Sequence, residues 1–153
     1  MKTLYLLLLV FIGLTCSPQL ANSQQKNINC GCTPAEVQDW TLISAKGDGA
    51  CVSDTVSIKL LFFKAKTVNG SEIRSQTKDI GLNACVLDHL FENQKLIPES
   101  WKTKHVAFPG TIYSDPGGSE LFRFLKWFDD QWVIESIYIN SLVYDDTFVA
   151  VKK

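Results

Sequence analysis

The sequence lacks the motifs of the common catalytic sites. It contains no Gly-x-Ser-x-Gly elbow, no phosphate-cradling Gly-Lys loop, no His-Glu-x-x-His and no dinucleotide-binding glycine fingerprint. Its two histidines, His89 and His105, leave few side chains that could exchange protons near neutral pH. The paired carboxylates at 129–130 and 145–146 lack the alternating spacing of a calcium loop, and solvated turns explain them better. These absences favour a protein that binds without catalysis, and we expect no cofactor.

The sequence also lacks an excess of charge of either sign. It has 15 basic and 16 acidic residues, and the nearest approach to a basic cluster is Lys64, Lys66 and Arg74. Proteins that bind nucleic acids carry a concentrated basic surface, so we expect no nucleic-acid partner. Beyond the N-terminal apolar run, no segment has the apolar length of a membrane helix, and we expect no transmembrane segment.

The N-terminus has the pattern of a signal peptide. A short positive start precedes an apolar run at 4–14, and small residues occupy the positions before a cleavage site that follows Ser23. We therefore predict a signal peptide at 1–23, one domain at 24–153 and a secreted or periplasmic location. A lipid anchor on Cys16 is the alternative, but Gly13 and Thr15 fit a lipoprotein signal poorly.

Four cysteines remain after the predicted cleavage: Cys30, Cys32, Cys51 and Cys85. In an oxidising compartment this even number predicts two disulfides and leaves three pairings open. A bridge between Cys30 and Cys32 would close a strained ring, so each should reach Cys51 or Cys85. Cys85 and His89 could instead bind a metal with the other thiolates, but secreted thiols usually oxidise first, and we assign no metal.

The aromatic-rich segment 120–140 predicts a β-hairpin around the acidic break at 129–131. With a four-residue loop at 129–132, Phe128 faces Val133 and Lys126 faces Glu135, which joins opposite charges. A two-residue turn at 129–130 lacks the Gly or Asn that such turns favour, so we prefer the longer loop. One face then carries Phe122, Phe124, Lys126, Phe128, Val133, Glu135, Ile137 and Ile139, and the other carries Arg123, Leu125, Trp127, Ile134, Ser136 and Tyr138.

Periodicity predicts one principal helix at 82–93, because its apolar residues recur at three-and-four spacing. We expect it to pack on the hairpin face that carries Phe124. Asn69-Gly70 predicts a hairpin turn, and Asn69 is also an N-glycosylation acceptor pattern. Pro109-Gly110 predicts an edge or a bulge in its strand. Other predicted elements are a helical turn at 33–40, a short strand at 40–43, and strands at 56–68 (buried on both sides near its middle), 72–78, 104–113 and 147–151.

These elements predict an α+β fold, with an antiparallel β-sheet of about five to seven strands and one main helix packed on one face. The run 122–138, with paired aromatic strands, an acidic turn and a Trp-Val-Ile return, resembles the closing hairpin of cone-shaped α+β domains similar to nuclear transport factor 2. The resemblance covers one hairpin. The helices that this family places before its sheet are not evident in 24–66.

Exposed aromatic side chains could form a recognition surface. Trp101, Tyr113, Trp127 and Tyr138 all lie in or beside the second half of the predicted sheet, with Arg123 on the same hairpin face as Trp127. Such residues supply contact area for a sugar ring or a protein, although aromatic residues at strand spacing are also typical of a core. We therefore predict a binding module for a protein or carbohydrate partner.

A small pocket enzyme, a hydrolase or an isomerase, is the alternative. Its acid–base pair would combine His89 or His105 with Asp88 or Glu135. His89 lies on the apolar stripe of the predicted helix, where a histidine is more often part of the core than a base. A deep cavity holding a histidine and a carboxylate would favour the enzyme, whereas a sheet face with projecting aromatics would favour the binding module.

Overall fold

The computed structural model describes residues 34–44, 58–63 and 68–153. The predicted signal peptide and Cys30, Cys32 and Cys51 lie outside these residues, so the predictions about them stay predictions. Two short 3₁₀ helices, Gln94–Leu96 and Glu99–Trp101, follow the second α-helix. The other elements are β1 (Thr41–Ser44), β2 (Ile58–Phe62), α1 (Gly70–Thr77), α2 (Ala84–Glu92), β3 (His105–Ser114), β4 (Glu120–Phe128), β5 (Gln131–Tyr138) and β6 (Thr147–Lys152).

The six strands form one mixed sheet in the order β2-β6-β3-β4-β5, with β1 added against β3. Every pair is antiparallel except β3 and β6, which run parallel with His105 opposite Thr147. The expectation of a purely antiparallel sheet is therefore wrong at this one pair, because residues 139–146 carry the chain back to the far side of β3. A mostly antiparallel sheet with helices agrees with the predicted α+β class.

The segment after Asn69 is a helix and not the predicted returning strand. The Asn69 side chain accepts a hydrogen bond from the Glu72 backbone N–H at 2.9 Å, which caps the first turn of α1. Asn-Gly is common at hairpin turns, but an Asn followed three residues later by Glu is also a helix start. The described residues thus contain two α-helices where one main helix was predicted.

The predicted interruption of β3 is a bulge in the middle of the sheet. The pairing of β3 with β4 shifts register between Phe108 and Tyr113, around Pro109 and Gly110. The Gly110 N–H donates to the carbonyl of Leu82 at 3.1 Å, and a Cβ built on Gly110 would lie 2.8 Å from the same carbonyl oxygen. Only glycine permits this approach, which holds the segment before α2 against the sheet.

The register of the β4–β5 hairpin differs from the preferred prediction by two residues. Phe128 pairs with Gln131, and the turn consists of Asp129 and Asp130 alone, with φ of 49° and 57°. Aspartate tolerates this left-handed conformation better than most residues, which permits a two-residue turn without Gly or Asn. A shift of two residues keeps every side chain on its predicted face. The predicted ion pair of Lys126 with Glu135 exists at 2.6 Å, across the diagonal of the ladder.

Two hydrophobic clusters lie on opposite faces of the sheet. The helix α2 packs on the face opposite to the predicted one. The buried residues of α2 share a cluster with Leu125 and Trp132, whereas Phe122 and Phe124 share the other cluster with Ile73 of α1. The prediction that Phe124 packs beneath the helix at 82–93 is therefore wrong. Both faces of β4 are covered, because the unpredicted helix α1 covers the second face.

The remaining differences concern the edges of the fold. β2 is an edge strand with an exposed Phe62, and not a strand buried on both sides. Residues 34–40 form a turn, in which the Trp40 N–H donates to the carbonyl of Val37 at 3.0 Å, and not the predicted helical turn. Among the described residues no helix is long and apolar enough to cross a membrane.

Candidate functional site

The structure separates the five residues predicted for ligand binding. Trp101 and Tyr113 are buried in hydrophobic clusters, and Arg123 is buried beside Tyr113. Trp127 is partly buried, while Tyr138 keeps 48% of its surface exposed. Trp101 and Tyr113 therefore contribute to packing, and on the β4–β5 face that carries Arg123, Tyr138 is exposed and Trp127 is partly accessible.

Residues 34–40 border this face, and two long-range contacts hold them there. The backbone N–H of Ala35 donates to Asp88 Oδ2 at 2.9 Å, and the Tyr113 hydroxyl donates to the Ala35 carbonyl at 3.3 Å. The Trp40 ring lies 6.0 Å from the Tyr113 ring, centre to centre. Val37 and Trp40 thus reach the sheet, although they lie far from it in sequence.

A groove separates this segment from the hairpin. Its volume is about 240 Å³. We call it the β4–β5 groove. It is lined by Val37, Trp40, Arg123, Ile134, Glu135 and Ser136.

The charges at the groove are paired. Arg123 Nη1 lies 2.8 Å from Asp88 Oδ1, and both side chains are largely buried. Glu135 is paired with Lys126 at 2.6 Å. Arg123 also donates to the Tyr113 hydroxyl at 3.5 Å. Burial raises the pKa of Tyr113, and the neighbouring Arg123 partly opposes that rise.

Trp127 and Tyr138 differ in what their rings contact. Trp127 packs edge-on against Trp132, and Lys102 Nζ lies 4.1 Å from the Trp127 ring centre, in cation–π geometry. The Tyr138 hydroxyl donates to Asp115 Oδ2 at 3.1 Å, and this hydrogen bond raises the pKa of Tyr138. Tyr138 therefore offers its exposed ring face, while Lys102 covers part of Trp127.

Within the described residues, no hydrogen bond or salt bridge joins either histidine to Asp88 or Glu135, the carboxylates predicted to accompany them. His105 Nδ1 is 2.6 Å from Asp146 Oδ1, and the His105 ring stacks on Tyr144 at 4.5 Å. His89 Nε2 is buried and, within the described residues, has no hydrogen-bond partner. The cavity beside His105 has a volume of about 10 Å³, which is the space of a single water molecule. Within the described residues, the cavity beside His105 is therefore too small for an organic substrate.

In the part of the chain that the structure describes, no group of three or more His, Cys, Asp or Glu residues is arranged to hold a metal ion. Cys85 is buried in α2.

No protein-family model, curated protein or solved structure matches the chain. The resemblance of 122–138 to one hairpin of the nuclear transport factor 2 class therefore stays a prediction.

Val37 and Trp40 are the site residues that the sequence reasoning missed. Their neighbours Thr33, Pro34 and Glu36 have the pattern of a helix start, which led to the wrong local structure. A Val and a Trp three residues apart in a polar, turn-rich stretch were the available signal, since isolated apolar residues there need a surface to contact.

Proposed function

We propose that this chain is a small secreted or periplasmic binding module without catalysis, and that it recognises a neutral carbohydrate in the β4–β5 groove. The observation that carries the proposal is the groove itself. It brings Trp40, Ile134 and Ser136 together, and Tyr138 lies two residues beyond Ser136 in β5 with an exposed side chain. One wall of the groove thus comes from Ile134 and Ser136 of the predicted recognition face, and residues 34–40 form the other wall.

Size and charge favour a small neutral ligand. A volume of about 240 Å³ is slightly below the range of about 300–1,000 Å³ for pockets that hold drug-sized ligands, so the groove suits one unit of a polymer. Arg123 and Glu135 each have an opposite charge as partner, which leaves no net charge to attract an ion. The remaining polar atoms of Arg123 and the Ser136 hydroxyl can bond to sugar hydroxyls, while an aromatic ring packs on the apolar face of a sugar.

Titration of ¹⁵N-labelled protein with neutral oligosaccharides, followed by NMR, tests the proposal. We expect saturable shifts of the Trp40 indole N–H and of the Ile134 and Ser136 amides. A Trp40→Ala variant should lose the binding, whereas Phe62→Ala, which removes an exposed aromatic from the opposite edge of the sheet, should keep it.

Three results would contradict the proposal. The first is an absence of shifts with every neutral glycan, the second is shifts scattered outside the groove, and the third is equal binding by Trp40→Ala and the native protein. Because Trp40 also contacts Tyr113, Ser136→Arg provides a second variant that blocks the groove from the partly exposed strand β5. If a protein and not a glycan binds at the same residues, the groove remains the binding site but carbohydrate is not its ligand.

A further inference from the structure

The bulge of β3 borders a second groove, on the α1 side of the molecule. This groove has a volume of about 340 Å³ and lies beside Pro109 and Gly110, where the β3–β4 ladder is interrupted. Bulges are common next to binding sites because they interrupt the ladder and redirect the chain. We call it the α1 groove. It is lined by Ser44, Ser71, Arg74, Ser75, Lys78, Pro109 and Gly110.

One stripe of α1 provides most of the polar lining. Ser71, Arg74, Ser75 and Lys78 follow the spacing i, i+3, i+4 and i+7, which places them on a single side of the helix. Ile73 and Thr77 on the adjoining side are buried. The amphipathicity of α1 therefore directs two cations and two hydroxyls into the same groove.

The charges of this groove are unbalanced, in contrast to those of the β4–β5 groove. Arg74 Nη1 is held by Glu120 at 3.1 Å, and Arg74 Nη2 donates to the Ser44 hydroxyl at 3.4 Å. Lys78 is exposed, and within the described residues it forms no salt bridge. Two like charges four residues apart on a helix repel each other, and a bound anion would relieve this repulsion.

The acidic residues of α1 lie on a different stripe. Glu72 accepts a hydrogen bond from the Gln76 side chain at 3.1 Å, and Asp79 continues the same stripe by spacing. Glu120 is therefore the carboxylate that directly contacts a cation of the groove. The described lining carries two positive charges against one negative charge at its edge, so its net charge is positive.

We propose that the α1 groove binds a tetrahedral oxyanion carried on a small organic molecule, that is, a phosphate or sulfate ester. Lys78 and Arg74 would contact the anion, and the hydroxyls of Ser71 and Ser75 would donate to its remaining oxygens. A groove of about 340 Å³ exceeds the need of an inorganic ion and leaves room for the group that carries it. This site is independent of the β4–β5 groove and of the carbohydrate proposal.

Titrations with glucose 6-phosphate, glucose 6-sulfate, glucose, inorganic phosphate and inorganic sulfate, followed by the amide shifts of Ser75, Lys78 and Gly110, test this proposal. We expect saturable binding of at least one ester, weakened by added NaCl because the contacts are solvent-exposed charges. Glucose alone should cause no shift at these amides. A preference between the two esters identifies which anion source the groove serves.

Matched lysine variants separate a defined site from general attraction. Lys78→Gln should weaken ester binding about tenfold, because one charge-assisted contact is lost. Lys95→Gln removes an exposed lysine outside the groove and should leave the affinity unchanged. Glu120→Gln should tighten binding, since it releases Arg74 for the ligand.

The proposal fails if none of the esters causes saturable shifts. It also fails if the esters bind no more tightly than the inorganic ions, which would indicate an adventitious ion only. An equal loss of affinity in Lys78→Gln and Lys95→Gln would likewise reject it, because the attraction would then be unspecific. Both lysine substitutions are at exposed positions, so we expect both variants to fold.

Discussion

Phe124 and Phe128 lie on the same face of β4, but one belongs to the core and the other is exposed. Phe124 is 2% exposed and packs edge-on against both His105 and Tyr144, whereas Phe128 is 61% exposed at the end of β4. Strand periodicity correctly placed both on one face, but it gives no information about how far along the strand the cover extends. That extent is set by α1 and residues 139–146, which contact the strand from elsewhere in the sequence.

The contrast between these two residues predicts unequal costs of truncation. Phe124→Ala should lower the free energy of unfolding by about 3–5 kcal/mol, because it empties core volume. Phe128→Ala should change it by less than about 0.5 kcal/mol, as expected for an exposed side chain. Urea unfolding followed by tryptophan fluorescence measures both. Equal costs would mean that the end of β4 is covered in solution.

Tyr113 predicts a loss of stability at alkaline pH. Its pKa is raised from the usual 10.0, first because the side chain is buried, so the folded protein favours the neutral phenol. This contribution is complete below the unfolded pKa and is lost as the pH rises through the higher folded pKa. Denaturant midpoints measured from about pH 8 to 11 should therefore fall less steeply in Tyr113→Phe than in the native protein. Parallel curves would contradict this prediction.

Residue-level patterns could not predict the β4–β5 groove. The sequence predicted the face that carries Arg123, Trp127, Ser136 and Tyr138 but not its second wall. Trp40 reaches the groove through hydrogen bonds such as that of Ala35 with Asp88, which lie 53 residues apart in sequence. No local signal specifies a contact of that separation.

Among the elements, the hairpin turn and α1 were predicted least well, and in both cases two local rules competed. Asn69-Gly70 satisfied the rule for a hairpin, yet the Asn69 side chain bonds forward to Glu72 and starts a helix. Asp129 and Asp130 do not match the usual residues of a two-residue turn, yet both adopt positive φ. By contrast, α2 and β6 have undisputed patterns and were predicted to within about two residues.

The turn geometry gives a prediction at this scale. Replacing Asp129 and Asp130 by Asn and Gly should raise the free energy of unfolding by about 0.5–1 kcal/mol, because Asn-Gly suits the left-handed conformation at both positions. Thermal and urea unfolding measure the change. An Asp79→Asn/Asp145→Asn double variant, at two exposed positions, controls for the loss of two negative charges. A decrease in stability would favour the four-residue loop that the charge pairing first suggested.

At the scale of the whole molecule, the order of strands was beyond prediction. β6, the last strand, lies between β2 and β3 and pairs with both, so distant parts of the chain form the centre of the sheet. Periodicity identifies a strand and its buried face, but it does not identify its neighbours. The same limitation explains the reversed positions of the two helices. A face predicted to be apolar needs a cover, and the sequence alone did not show which helix supplies it.

The predicted disulfides would connect the N-terminal segment to this sheet, and their presence can be tested on the intact protein. We expect that mature protein treated with a thiol-blocking reagent in guanidinium chloride will gain no adduct mass, because Cys30, Cys32, Cys51 and Cys85 are predicted to be paired. Denaturant is needed because Cys85 is buried in α2 and would resist the reagent in the native fold.

Reduction before blocking serves as the control and should add four adducts, one for each of these cysteines. Reduction should also lower the free energy of unfolding by about 2–5 kcal/mol, because the cross-links restrict the unfolded chain. Adducts on the unreduced protein would show that free thiols are present and would contradict the prediction of two disulfides. An unchanged stability after reduction would mean that the sheet and its hydrophobic clusters keep the fold stable without the disulfides.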